Sequence, residues 1–212
     1  MPRKIVQGPI RDKEKTKQKL LNAVGKIIKT KGYPSLMVSK IAAEAGCDKK
    51  LIYEYFGTTE NLIEQYVKSQ DYWSNISDAE IKPQINDGGK EISKHTLLKQ
   101  FENFRDNKEL QKIIIWELSE SKPFLKKLNE QREELAEKIF NSSDAHFGEQ
   151  AENYRAITAL LAGGIYYLNL FTGYNGTHFC GIDLKSEQGI KAIENAIETI
   201  LDSAYQNNTI NK

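Results

Sequence analysis

Val38–Phe56 reads VSKIAAEAGCDKKLIYEYF. Ile41, Ala42 and Ala45 share one side of a short helix over Val38–Ala45, and Leu51, Ile52, Tyr55 and Phe56 share one side of a second, over Lys49–Phe56. Between the two stand Ala45, Gly46 and Cys47. Alanines let helices approach closely, and glycine supplies a tight turn. Asp48 is placed to cap the second helix. Such a pair can set its second helix in the major groove of DNA. Small-residue helix pairs also occur in proteins that never meet DNA.

Upstream, Leu20, Leu21, Val24, Ile27 and Ile28 recur at helical spacing from about Arg11, and Gly32 stops that helix. Downstream, Gly57 closes the second short helix, and Thr58 or Thr59 can cap a fourth carrying Leu62, Ile63, Tyr66 and Val67. The four pieces LLNAVGKIIKTKGY (Leu20–Tyr33), VSKIAAEAGC (Val38–Cys47), LIYEYF (Leu51–Phe56) and TENLIEQYV (Thr59–Val67) resemble, in order and spacing, the N-terminal domain of the tetracycline-repressor (TetR) family. The resemblance covers about 50 residues; beyond them the chain is similar only in length and helical character.

The resemblance implies a sequence-specific DNA-binding transcriptional regulator, a repressor released from its operator by a small-molecule effector and acting as a homodimer. The chain departs from the family where Leu36 and Met37 stand in place of a hydroxyl residue entering the second helix, leaving Ser35 or Ser39 to serve. Thr59 stands where a lysine often meets phosphate, and Leu51 where a small or hydroxyl residue is usual. These differences touch operator sequence and affinity. The alternative function is a helical protein-interaction module that binds no DNA.

Charge is divided along the chain. Residues 1–60 hold 13 Lys/Arg and 6 Asp/Glu, a net of +7, and residues 61–212 hold 17 and 23, a net of −6. A basic quarter on an acidic body suits a protein that meets a polyanion with one part only. Lysine-rich segments also simply solvate, and charge alone leaves both readings open.

On the polar side of the recognition helix stand Lys49, Lys50, Tyr53 and Glu54, with Lys49 expected at a base and Lys50 at a phosphate. Ser39 and Lys40 are expected to face the DNA backbone, with Tyr55 at the edge of the groove and Thr59 near phosphate. Glu54 is awkward beside phosphates; it either accepts from cytosine N4 or points away. Arg3, Lys4, Arg11, Lys13, Lys15, Lys17 and Lys19 form a basic arm that reaches DNA or is a solvated tail.

Further helices are expected at about 92–106, 108–120, 123–141, 149–172 and 185–206, with breaks at Asn107, Pro123, Ser142–Gly148 and Gly173–Asp183. Ser77–Gly89 reads as a helix end and a loop. No two-residue alternation stands out, so the fold class is all-α: an N-terminal three-helix helix-turn-helix domain followed by a helical-bundle ligand-binding and dimerisation domain. The expected division is a disordered arm over 1–10, a DNA-binding domain over 11–60 and an effector-binding and dimerisation domain over 61–212.

The helix around Tyr154–Thr172 and the last helix carry more apolar surface than one chain covers, so a second copy is expected against Ala162, Ile165, Ile193, Ile197 and Ile200. Phe101, Phe104, Trp116, Tyr166 and Tyr167 are candidates to line an effector pocket, Trp116 with Tyr166 first because each joins an apolar body to a polar handle. His95, His146 and His178 are isolated, and neither Cys47 nor Cys180 has a metal-spaced partner. No enzyme activity, metal or cofactor is expected. No apolar run approaches the roughly 20 residues of a bilayer span, and Met1–Ile10 has no secretory core. No membrane partner is expected, and the cytoplasm is the default.

Overall fold

In the computed structural model, residues 9–71 and 87–210 are described, with side chains over 13–71 and 87–208. Arg3, Lys4, the side chain of Arg11 and most of the Ser77–Gly89 stretch lie outside the described residues. The described elements are α1 (Pro9–Lys31), α2 (Val38–Ala45), α3 (Lys50–Phe56), α4 (Thr59–Gln70), α5 (Lys90–Asp106), α6 (Lys108–Ser119), α7 (Pro123–Phe147), α8 (Ala151–Tyr174), a hairpin of β1 (His178–Phe179) and β2 (Ile182–Asp183), and α9 (Glu187–Ile210). Pro9 and Ile10, expected in a disordered arm, open α1 instead; proline is at home in a first turn, where its missing N–H has no partner to lose.

Two compact units divide the chain, Met1–Asp71 with Lys108–Leu128, and Tyr72–Asn107 with Asn129–Lys212. In the first, α1 supplies Leu20, Val24, Ile27 and Ile28, each at most 1% exposed, to a core shared with Ile41, Ile52, Leu62 and Val67. Ile113 and Trp116 of α6 and Leu125 and Leu128 of α7 complete it. Lys29 pairs with Glu109 at 3.2 Å, the Lys112 ammonium donates to the Lys29 carbonyl, and Tyr33 meets Ser119 at 3.0 Å. The compact N-terminal unit thus extends past residue 60 to take in α4 and α6, which the local sequence pattern has no means of signalling.

Gly25 is where α1 and α4 come closest. A Cβ there would stand 2.3 Å from the Tyr66 hydroxyl oxygen and 2.6 Å from its Cζ, and Tyr66 is buried. An unstrained helical Gly→Ala exchange adds about 1 kcal/mol of stability. Here we expect Gly25→Ala to cost about 1–3 kcal/mol by overpacking, a fall of several degrees in thermal melting. A higher melting temperature would mean that Tyr66 moves aside freely.

The second unit centres on Leu97 and Phe101 of α5, Phe147 of α7, Tyr154 and Ile165 of α8, and Ile197, Leu201 and Tyr205 of α9. Phe147 stacks on Tyr154 at 4.2 Å, with Tyr205 edge-on to both. Tyr205 donates its hydroxyl to the Gly88 carbonyl at 2.9 Å, and burial drives its pKa far up, so it stays neutral. The chain break expected over Ser142–Gly148 is absent up to Phe147, because these polar residues have partners on the helix and across it. Ser143 donates to the Phe140 carbonyl at 3.1 Å, and Asp144 takes Arg155 at 2.6 Å. The hairpin was not expected either; two residues per strand are too few to alternate. Its turn places Cys180 (φ 50°) and Gly181 (φ 79°) in the left-handed region that two-residue hairpins favour.

By length and composition, the helical stretch Pro123–Tyr174 holds an 18-residue window apolar enough to cross a bilayer, and 11% of that window is buried. Leu160 (78% exposed) and Tyr167 (54%) show how much apolar surface α8 leaves uncovered within one protomer.

Candidate nucleic-acid interface

The turn between α2 and α3 is held by backbone bonds that only a left-handed residue permits. Gly46 (φ 63°, ψ 36°) donates to the Ala43 carbonyl at 3.2 Å and Cys47 to the Ala42 carbonyl at 3.0 Å, closing α2 with the paired bonds of a glycine helix stop. Asp48 then accepts the Lys50 amide at 2.8 Å, as its position suggested. After α3, Thr58 rather than Thr59 caps α4, accepting the Asn61 amide at 3.0 Å, while Asn61 reaches back to the Phe56 carbonyl at 2.9 Å. Ile52 and Phe56 anchor α3 in the core. The helix is therefore clamped at both ends and along one side.

Its other side is open. Lys49, Lys50, Tyr53 and Glu54 are all exposed, Tyr53 at 51%. Ser39 and Lys40 are exposed in the first turn of α2. That helix starts from Met37 without a side-chain cap, and Ser35 turns back to the Lys31 carbonyl at 3.4 Å, so neither Ser35 nor Ser39 caps it. Tyr55 is half-buried, with the Lys13 ammonium 5.2 Å from its ring centroid, a cation–π contact between α1 and α3. Thr59 is half-buried in the first turn of α4. Lys13, Lys15 and Lys19 are exposed on α1 and Lys17 pairs with Glu14 at 3.1 Å, so these four belong to a helix and not to a tail. Glu44 is drawn to Lys26 at 2.5 Å and Lys31 at 3.8 Å, and the hydrogen bond from Lys26 leads in holding its carboxyl below the usual range.

The effector candidates separate. Trp116 lies in the first unit, 5% exposed, stacked on Tyr33 at 5.0 Å and edge-on to Phe124 at 5.4 Å, so its faces are already filled and it does not share a unit with Tyr166. Phe101 and Phe104 are buried in the second unit, and Tyr166 packs edge-on to Phe104 at 4.9 Å. Tyr167 faces outward, against Phe179 of the hairpin at 5.4 Å.

The residues expected between two copies also separate. Ile165 (2% exposed) and Ile197 (3%) are spent in their own protomer's core and are withdrawn from that face. Ala162 and Ile193 are half-buried and Ile200 is 43% exposed. Leu160, at 78% the most exposed large apolar side chain of α8, stands outside that expected set. A helix apolar on all sides does not reveal which side its own bundle takes. His178 meets its neighbour Thr177 at 2.8 Å, and Cys180 is exposed. Among the described residues no three His, Cys, Asp or Glu side chains group to hold a metal.

Residues 20–66 match the family model described as bacterial regulatory proteins, tetR family. The chain is 30% identical over 173 residues to a Bacillus subtilis (strain 168) protein named as an uncharacterized HTH-type transcriptional regulator, YerO; the match takes in 76% of this chain and 57% of that relative's length. Among solved structures, the transcriptional regulator FadR from Bacillus subtilis in complex with stearoyl-CoA is similar with a TM-score of 0.57 at 20% identity, over 87% of this chain and 96% of that one. A putative fatty acid metabolism regulator from Clostridium perfringens is similar with a TM-score of 0.58 at 18% identity, over 87% and 97%. At such identities the structural likeness speaks for the fold alone, which is almost entirely α-helical.

Proposed function

Because residues 20–66 match the model of the tetR family of bacterial regulatory proteins, we propose that this chain is a homodimeric, cytoplasmic DNA-binding regulator of that family that leaves its operator when a small molecule binds. The observation that carries the reading is the face of α3: Lys49, Lys50 and Tyr53 exposed on a helix that Ile52 and Phe56 anchor in the core, with Asp48 accepting the Lys50 amide before it and Asn61 donating to the Phe56 carbonyl after it. Ser39 and Lys40 lie where α2 would meet the phosphates, and Tyr55 and Thr59 flank them. Residues 11–60 supply the DNA contacts; 61–212 bind the effector and the second copy.

Phe101, Phe104 and Tyr166 share the second unit and are our candidates for contact with an effector of apolar body. Since FadR from Bacillus subtilis holds stearoyl-CoA, acyl-CoA thioesters belong in the first ligand set. An effector that weakens operator binding by some factor must itself bind more weakly to the DNA complex by that same factor.

The test is a titration of the full chain against duplex DNA from upstream of its own gene, at several salt concentrations. We expect log affinity to fall with log salt by about 0.9 per phosphate neutralised. Ligands that raise the melting temperature should weaken this binding reciprocally. Duplex binding that is absent or indifferent to salt would sink the regulator reading.

A further inference from the structure

Glu54 is the one acidic residue of α3, and its surroundings do not account for it. The neighbouring acids have work to do within the unit: Glu44 is tied to Lys26 and Lys31, and Asp48 accepts the Lys50 amide. Glu54 is exposed, and no described residue forms an ion pair with it. Lys50 is one turn before it, but a lysine N-terminal to a glutamate is the weaker orientation of such a pair, and the two are not joined here. Glu54 thus presents a carboxylate on the same face as Lys49, Lys50 and Tyr53.

Placed in a major groove, that carboxylate meets phosphates on both walls and acceptors on most base edges. It accepts hydrogen bonds and donates none. Guanine shows it two acceptors, thymine an acceptor and a methyl group, and adenine a donor beside the N7 acceptor. Cytosine alone offers the N4 amino donor without an adjacent acceptor. We propose that Glu54 determines operator specificity by accepting from cytosine N4, fixing one C·G pair in each half-site. Lys50, on the same row, lies where it offsets the adjoining phosphate charge. This inference rests on the DNA-binding reading above.

The experiment selects binding sites from a randomised duplex pool with the full chain, as wild type and as Glu54→Gln and Glu54→Ala. Because no described residue pairs with Glu54, both variants should melt as wild type does. Wild type should recover a two-fold symmetric motif with cytosine at one position per half-site. Both variants should lose discrimination there by about 5- to 150-fold, and Glu54→Gln should turn toward adenine, whose N6 and N7 suit an amide. The remaining positions should stay as they are. An unchanged motif, with affinity for every sequence raised alike, would make Glu54 a general repeller of phosphate and overturn the inference. A wild type that enriches no motif would overturn the DNA-binding reading itself.

Discussion

Leu160→Glu should turn a dimer into a monomer and weaken operator binding by about 10²- to 10⁴-fold, the avidity lost when two half-sites are no longer held together. Leu160 is 78% exposed in the protomer, on a helix whose apolar window is 11% buried. Around Gly163 and Gly164, one turn on, no described atom beyond the adjacent residues and the helix's own backbone lies within 4 Å of the place a Cβ would take, which leaves room for a second helix. In a two-fold interface one substitution appears twice, so two carboxylates would be buried without partners. Ile200→Glu, at 43% exposure, should act in the same direction. Both residues already face solvent in the protomer, so helical content should survive in either variant. Light scattering and operator titration read the two effects. A Leu160→Glu protein that remains dimeric with unchanged affinity would place the second copy elsewhere. Ile165→Glu is the wrong probe, because it strikes the protomer's own core.

Lys49→Ala and Lys50→Ala should each weaken operator binding, by different means. Both are exposed and neither forms an ion pair with a described residue, so both charges are available to DNA. Successive helical residues point about 100° apart, which sends the Lys49–Tyr53 row and the Lys50–Glu54 row to different features of a groove. A base-contacting lysine costs about 1–3 kcal/mol and relaxes preference at one base pair. A phosphate-contacting lysine weakens all sequences alike and lowers the salt slope by about one. We expect the first signature for Lys49 and the second for Lys50. Titrations of each variant on operator and scrambled duplex, at several salt concentrations, separate them. Unchanged affinity and slope in both would remove α3 from the interface.

The helix-turn-helix was legible because its determinants are local. Gly46 takes a left-handed φ that side chains disfavour, Asp48 and Thr58 accept amides two and three residues away, and Ile52 and Phe56 lie one turn apart. Short-range geometry of this kind is encoded within a few residues, so α2 was read to its ends and α3 to within one residue. The exposed row of Lys49, Lys50, Tyr53 and Glu54 followed from the same periodicity.

Elsewhere, local signals misled. Ser142, Ser143 and Asp144 have the composition of a linker, yet they continue α7 because Arg155, eleven residues after Asp144, meets that carboxylate. Trp116 has the look of a pocket wall, but Tyr33 and Phe124 fill its faces. Ile165 and Leu160 are equally apolar, and packing alone buries one and exposes the other. By itself the sequence determined α2 and α3, the turn between them, and which side of α3 is polar, since each depends on backbone sterics and bonds spanning a few residues. Only the tertiary structure decided which apolar surface is buried in the core and which is left exposed, because burial depends on residues that chain neighbours do not specify.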